Sequence, residues 1–206
     1  MTPFAIHPCR SLNGTVVLPG DKSIAHRALI LSALSFGQTI IDNVPDNGDC
    51  RATIAALARF GVRMTVREAS PGALSVIIDG TGARSLEKPD GPVRIDASGT
   101  TFRLLLGVAA GQLMTVTFEA GEGLSGRPMS RIAHPLRCMG AGVTCRDGML
   151  GGVREEFAPV TVSGGMLKGI TYTLPVASAQ VKSALLLAGL NAAGETSVIE
   201  PHPTRD

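Results

Sequence analysis

Pro19-Gly20-Asp21-Lys22-Ser23-Ile24-Ala25-His26-Arg27 joins an apolar extended run, Thr15-Val16-Val17-Leu18, to a helical one, Ala28-Leu29-Ile30-Leu31. Pro-Gly halts the first run, and Ser23 is placed to cap a helix beginning at Ile24. The Lys22 ammonium, the Ser23 hydroxyl, the Arg27 guanidinium one turn later and the free N–H groups of the first turn would then converge. Such a helix start is a seat for phosphate or carboxylate.

Outside this stretch the totals are permissive. The 206 residues suit one large domain or two small ones, and 44% hydrophobic content supports a substantial core. With no Trp, one Tyr and 25 Gly, that core must be aliphatic and its turns rich in glycine. A net charge of +2 from 19 basic and 17 acidic side chains gives no general footprint for nucleic acid, so anion recognition has to be local. Cys9, Cys50, Cys138 and Cys145 lack CxxC spacing and read as free thiols in a reducing compartment. The N-terminus shows no signal-peptide pattern and no apolar run reaches membrane-spanning length, so a soluble cytoplasmic protein is expected, with no membrane partner.

Taken in order, the chain repeats itself. A strand over Gln38 to Val44 follows the first helix. A second helix, Cys50 to Phe60, ends at Gly61, and strands Val62 to Val66 and Leu74 to Asp79 come next. The order returns with Val93 to Asp96, the loop Ala97-Ser98-Gly99-Thr100-Thr101, a helix from Phe102 to Ala109, a strand Val116 to Glu119, and a helix introduced by Gly126-Arg127-Pro128 and running through Met139, with its exit at Gly140. Ser23 and Thr100 are 77 positions apart, and Phe60 and Met139 are 79. A third copy starts with Ile170 to Pro175, Pro175 lying 156 positions after Pro19. Ser178 caps Ala179 to Ala188, and Thr196 to Ile199 is the following strand. The second helix of this copy should begin near position 206. Tandem β-α-β-α-β-β units follow, the third incomplete. Neither a sheet nor a helix pair with one apolar face can bury it alone, so the units should stack with helices inside and sheets outside, as an α/β fold that is part of something larger.

If a local pseudo-rotation relates the units, Lys22-Ser23, Ser98-Gly99-Thr100 and Ser178-Ala179-Gln180 meet around one cleft. Three helix starts favour a polyanion more than one does. Taken singly, Ser23, Thr100 and Ser178 read as ordinary caps. Lys22 is either a solvated lysine or one half of an anion seat with Arg27. If the two cations are partly buried, their repulsion would lower the Lys22 pKa and prepare it for proton transfer. Arg127, before a Pro suited to the first helical position, is either a surface arginine at a loop or a bidentate carboxylate clamp. Arg103 lies inside a helix and could support the Ala97 to Thr101 loop. Asp49 is most simply a helix cap. His26, His134 and His202 have neither metal-ligand spacing nor a nucleophile relay, and His26 and His134 read as packing or surface residues. Pro19 to Ser23 is too short for a Walker-type phosphate loop.

Pro19 to Arg27 strongly resembles the N-terminal signature of the 5-enolpyruvylshikimate-3-phosphate synthase family. Ser98-Gly99-Thr100-Thr101-Phe102-Arg103-Leu104, Gly126-Arg127-Pro128-Met129 and Ser178-Ala179-Gln180-Val181-Lys182-Ser183-Ala184 resemble three more of its motifs, in order. The enolpyruvyl transferases acting on UDP-N-acetylglucosamine match less well, since they usually carry Lys-Asn where this chain has Lys22-Ser23.

The resemblance implies an enolpyruvyl transferase-like lobe of β-α-β-α-β-β units, with residues 19–206 an incomplete N-terminal lobe and residues 1–18 associated with a second lobe. It implies transfer of the enolpyruvyl group of phosphoenolpyruvate to the 5-hydroxyl of shikimate 3-phosphate, with release of phosphate and no metal or organic cofactor. Ser23, Arg27, Ser178, Gln180 and Thr204 would bind shikimate 3-phosphate. Lys22, Gly99 and Arg127 would contact phosphoenolpyruvate, Gln180 lying near both ligands and Lys22 assisting catalysis. Glyphosate would compete at the phosphoenolpyruvate subsite, Gly99 looking like the sensitive form. The family commonly has Asn where this chain has Ala97, so one substrate-facing amide is missing. The family's catalytic Asp and Glu belong to the second lobe, so this chain is expected to be inactive until a C-terminal lobe is supplied in cis or as a complementary chain. A stand-alone phosphometabolite-binding module and a structural partner subunit are the competing expectations.

Overall fold

A computed structural model describes residues 5, 7–8, 10–16 and 18–204. The first unit opens with α1 (Lys22–Ala33), and its cap is Asp21 rather than Ser23. The Asp21 carboxylate accepts from the N–H groups of Ser23 and Ile24 at 2.8 and 3.0 Å. A charged acceptor is favoured over a neutral hydroxyl at the positive end of a helix, which moves the start forward and leaves Ser23 inside the first turn. Those two N–H groups are therefore engaged, contrary to the expectation that the first turn was open. Next come β1 (Phe36–Pro45), α2 (Gly48–Arg59), β2 (Arg63–Ser70) and β3 (Ala73–Thr81). Asn47 caps α2 by accepting from Cys50 N–H at 2.9 Å, so Asp49 is not the cap.

The second unit runs β4 (Val93–Ile95), α3 (Gly99–Ala110), β5 (Thr115–Ala120), the single turn α4 (Glu122–Ser125), α5 (Ser130–Cys138), β6 (Gly142–Leu150) and β7 (Val153–Ser163). Ser98, not Thr100, caps α3. Pro128 does not occupy the first position of α5. Met129 N–H is tied to Glu156 O at 2.8 Å, and the helix starts one residue later, where the Glu155 carboxylate accepts from Ser130 N–H. In the third unit are β8 (Leu167–Lys168), β9 (Thr171–Thr173), α6 (Ala179–Gly189) with Ser178 as its cap, β10 (Ala192–Ala193) and β11 (Ser197–Ile199).

Sheet order carries the repeat further than spacing does. The second unit has the full sheet, β4-β5-β7-β6, with β4 and β5 parallel and the other pairs antiparallel. The first unit's sheet, β1-β3-β2, is antiparallel and corresponds to the last three positions. In the third, the parallel pair β9 and β11 corresponds to the first two, and β8 pairs with β10 beside it. The extended run at Thr15 to Leu18 forms no strand at its described residues, Val17 lying outside them; Gly20 N–H donates to Asn43 O of β1 at 3.1 Å.

The helices pack inward. Every residue of α3 except Thr100 is buried, and Phe60, Phe102 and Phe118 meet beside it with ring centroids 5.9 to 6.2 Å apart. α3 and α6 approach so closely that a Cβ on Gly107 would lie 2.1 Å from Ala184 O, a contact open only to glycine. Burying these aliphatic faces supplies the main stabilising term, at roughly 25 cal/mol per Å² of apolar surface. Cys50, Cys138 and Cys145 are free thiols, and Cys9 lies outside the described residues. No helix is long and apolar enough to cross a membrane.

Candidate functional site

The starts of α1, α2, α3 and α6 are tied together by side chains. Lys22, the first residue of α1, places Nζ 2.7 Å from Oδ2 of Asp49 in the first turn of α2. The hydrogen bond and charge of Asp49 raise the Lys22 pKa, and Lys22 holds the Asp49 carboxyl below its ordinary range. The expected lowering of the Lys22 pKa is thus reversed, because the nearest charge is an anion rather than Arg27. Arg27 turns away from Lys22. Its Nη1 donates to Ser23 O at 2.9 Å, and its Nε and Nη2 donate to Ser183 Oγ on α6 at 3.1 and 2.6 Å.

A buried polar chain runs beneath this layer. His26 Nδ1 lies 2.7 Å from Thr53 Oγ1, Thr53 Oγ1 lies 2.7 Å from Thr101 Oγ1, and Thr101 Oγ1 donates to Ser98 Oγ at 2.8 Å. His26 is fully buried, and its Nε2 has no hydrogen-bond partner. Burial, with smaller contributions from Lys22 and Arg27, lowers its pKa to about 4, so the ring is neutral. His26 is therefore more than a packing residue. It belongs to a hydrogen-bonded seam that fixes α1, α2 and α3 in register.

On the other side of Gly99 the chemistry is cationic. A Cβ built on Gly99 would sit 2.9 Å from Arg103 Nη1 and 3.1 Å from Arg127 Nη1, so both guanidinium groups flank a position that glycine leaves open. Arg103 is buried, and its Nη1 and Nη2 donate to Gln180 Oε1 at 2.8 Å and to Pro128 O at 3.3 Å. Burial and the charges of Arg131 and Arg127 press its pKa downward, yet a guanidinium keeps its proton. Gln180 Nε2 donates to Thr100 Oγ1 at 3.0 Å, so both ends of the amide are held. Arg127 is exposed, and its Nε donates to Gly123 O at 3.2 Å. A cluster of two cations around a glycine, next to a fixed amide, can receive a small dianion with its carboxylate on a guanidinium fork.

Of the residues singled out from sequence, Gly99, Arg127 and Gln180 share this cluster, while Lys22, Ser23 and Arg27 sit on α1. Lys22 is linked to the cluster through Asp49, whose backbone carbonyl accepts from Thr101 Oγ1 at 3.4 Å. Ser178 caps α6, accepting from Val181 N–H at 3.4 Å. Thr204 stands apart and donates to Glu200 Oε1 at 2.5 Å, with Lys182 Nζ 2.7 Å from Glu200 Oε2. Thr53 and Glu200 carried no signal in the sequence that set them apart, while Asp49 read as a helix cap and Ser183 only as part of a longer motif. Arg103 carried a faint one, a charge one turn into a helix whose other residues are apolar. Among the described residues no group of three or more His, Cys, Asp or Glu could hold a metal ion.

The family described as EPSP synthase (3-phosphoshikimate 1-carboxyvinyltransferase) matches residues 6–206. A 3-phosphoshikimate 1-carboxyvinyltransferase from Acidithiobacillus ferrooxidans is 46% identical over the whole chain, which covers 45% of that relative. The Bacillus subtilis protein of the same description is 43% identical over 96% of the chain, covering 44% of its own length. A solved EPSP synthase from Acinetobacter baumannii superposes with a TM-score of 0.84 at 42% identity, over 94% of this chain and 42% of that one. The chain spans less than half the length of these relatives.

Proposed function

Since the chain belongs to the EPSP synthase family, we propose that its joined helix starts form one wall of a site that transfers the enolpyruvyl group of phosphoenolpyruvate to the 5-hydroxyl of shikimate 3-phosphate. The observation that carries this reading is the Gly99 opening, flanked within 3.1 Å of its absent Cβ by Arg103 and Arg127. Arg127, exposed and held by one backbone contact, would clamp the phosphoenolpyruvate carboxylate, while Gly99 lets the ligand approach the backbone. Lys22, its charge reinforced by Asp49, would neutralise the phosphate that leaves. Its raised pKa suits an electrostatic role better than proton abstraction. Ser23, Arg27, Ser178, Gln180 and Thr204 would take shikimate 3-phosphate, and the fixed Gln180 amide would face both ligands. Glyphosate would compete at the Gly99 and Arg127 subsite.

Residues 19–206 would form an incomplete N-terminal lobe, and residues 1–18 would associate with a C-terminal lobe supplied in cis or as a second chain. One wall alone neither excludes water nor surrounds the reacting carbon, so turnover needs that other lobe. Phosphate release from shikimate 3-phosphate and phosphoenolpyruvate tests this directly. The chain alone should be silent, and adding the C-terminal lobe of the Acidithiobacillus ferrooxidans relative should give turnover. Turnover by the chain alone would defeat the half-site account. An inactive but assembled pair would defeat the assigned reaction.

A further inference from the structure

Arg127 rides on weak local structure. α4 is a single turn of four residues with no side-chain cap, and it closes at Gly126, directly before Arg127. One turn has too few internal hydrogen bonds to hold itself, so its direction is set from outside. Its start is pinned where Gly121 N–H donates to Ile95 O at 3.0 Å, and Leu124 is fully buried, its Cδ1 3.6 Å from the place a Gly99 Cβ would take. The far end decides where Arg127 points, because the Arg127 Nε is tied back to Gly123 O of the same turn.

Another arginine holds that end. Arg146 of β6 donates from Nη2 to Ser125 O at 3.3 Å and from Nε to Ala158 O of β7 at 3.0 Å. Ser125 is the last residue of α4, and its carbonyl is one of those that a helix end leaves without an internal partner. The Arg146 guanidinium also lies over the Phe157 ring, 5.3 Å from the centroid. The sheet is bulged at this point. Pairing of β6 with β7 jumps from Cys145 with Val160 to Arg146 with Phe157, so Ala158 and Pro159 stand opposite no residue of β6 and the Arg146 side chain is re-aimed. Gly148 leaves room for the ring, since a Cβ there would lie 2.8 Å from it. On the other side of Arg127, Arg103 Nη2 donates to Pro128 O at 3.3 Å. Arg127 is thus flanked along the chain by two carbonyls that each take a guanidinium.

We propose that Arg146 is a positioning residue for the carboxylate subsite. By holding Ser125 O it aims the Arg127 fork at the opening beside Gly99, and it sets the affinity for the ligand carboxylate without touching the ligand. Two carbonyls and one ring face have to be met at once, which a planar guanidinium can do. An ammonium offers a point charge and no plane to stack. This inference rests on the reading of Arg127 as the carboxylate clamp.

The test compares Arg146→Gln and Arg146→Lys with Arg154→Gln, which removes a cation that pairs with Asp147 on the same hairpin. In the 206-residue chain, amides of residues 124–127 should exchange about tenfold faster in both Arg146 variants, the equivalent of one hydrogen bond to a charged group, with α3 and α5 unchanged. In the pair formed with the C-terminal lobe of the Acidithiobacillus ferrooxidans relative, both variants should raise the KM for phosphoenolpyruvate about tenfold and leave kcat and the KM for shikimate 3-phosphate within about twofold, the pattern of lost binding at one subsite. A folding defect alone would lower kcat through the active fraction and leave both KM values in place. Unchanged exchange at residues 124–127, or an unchanged KM for phosphoenolpyruvate in an active pair, overturns the proposal. So does full rescue by Lys, or an equal loss in Arg154→Gln, since either would make Arg146 a source of charge rather than of aim. An inactive wild-type pair would defeat the catalytic reading instead, and the exchange measurement would still decide whether Arg146 fixes the turn.

Discussion

Asp49 holds Lys22 across 27 residues of sequence, carboxylate to ammonium at 2.7 Å. The contact joins the heads of two helices whose N-termini both favour negative charge, and it reinforces the charge of the lysine placed at the proposed site.

Asp49→Asn should leave the fold intact and lower the Lys22 pKa toward that of an ordinary lysine. The side chains are 50% and 32% exposed, so solvent screening limits the cost in stability to about 1 kcal/mol or less. The sign differs at the two ends of the pH scale. Lys22, raised, contributes below its unfolded value of about 10 and loses the contribution as pH climbs through the folded value. Asp49, depressed, contributes above about 4 and loses it as pH falls through its folded value. NMR titration of the lysine side chain in both proteins checks the shift, and an unmoved Lys22 would show that the pair is not formed in solution.

Gly99→Ala places a methyl 2.9 and 3.1 Å from the two guanidinium groups, whose flexible ends can yield by a few tenths of an ångström. The fold should survive, while phosphoenolpyruvate and glyphosate should both bind about tenfold more weakly, a change of about 1.4 kcal/mol. Calorimetric titration of the assembled two-lobe protein reads both. Undiminished glyphosate binding in a folded variant would remove Gly99 from the subsite.

His26 makes stability fall on the acid side. Its pKa drops from 6.5 when unfolded to about 4 when buried, so the fold has its full stability above about 6.5 and loses it as pH falls toward 4, by about 3 kcal/mol. His26→Asn should cost stability at neutral pH and flatten this slope. Denaturant melts at pH 7, 5.5 and 4 compare the two, and parallel profiles would contradict a neutral buried imidazole.

Thr53→Val keeps the side-chain shape but removes the hydroxyl between His26 and Thr101. Two buried polar groups then lose a partner, which should cost about 1–3 kcal/mol. A double-mutant cycle with Thr101→Val should be non-additive, because both substitutions break one network. Additive losses would mean that the hydroxyls act separately.

Gly107→Ala should be far more damaging than its size suggests. The new methyl would meet Ala184 O at 2.1 Å, and a backbone atom in a packed helix cannot step aside as a side chain can. A loss of about 3 kcal/mol or more is expected in denaturant melts. A near-normal melt would mean that α3 and α6 stand further apart.

The sequence by itself determined the periodic elements, the 77- to 79-residue repeat and the motifs shared with the family. Helix stripes, strand alternation and Gly exits are local signals, written within a few residues of where they act. What the tertiary structure alone decided was partnership. Which anion meets Lys22 and where the Arg27 fork points depend on groups brought together from 27 and 156 residues away. His26 shows the same division. Its residue type is visible in the chain, but its charge is set by burial among α1, α2 and α3, and burial exists only once the units have stacked.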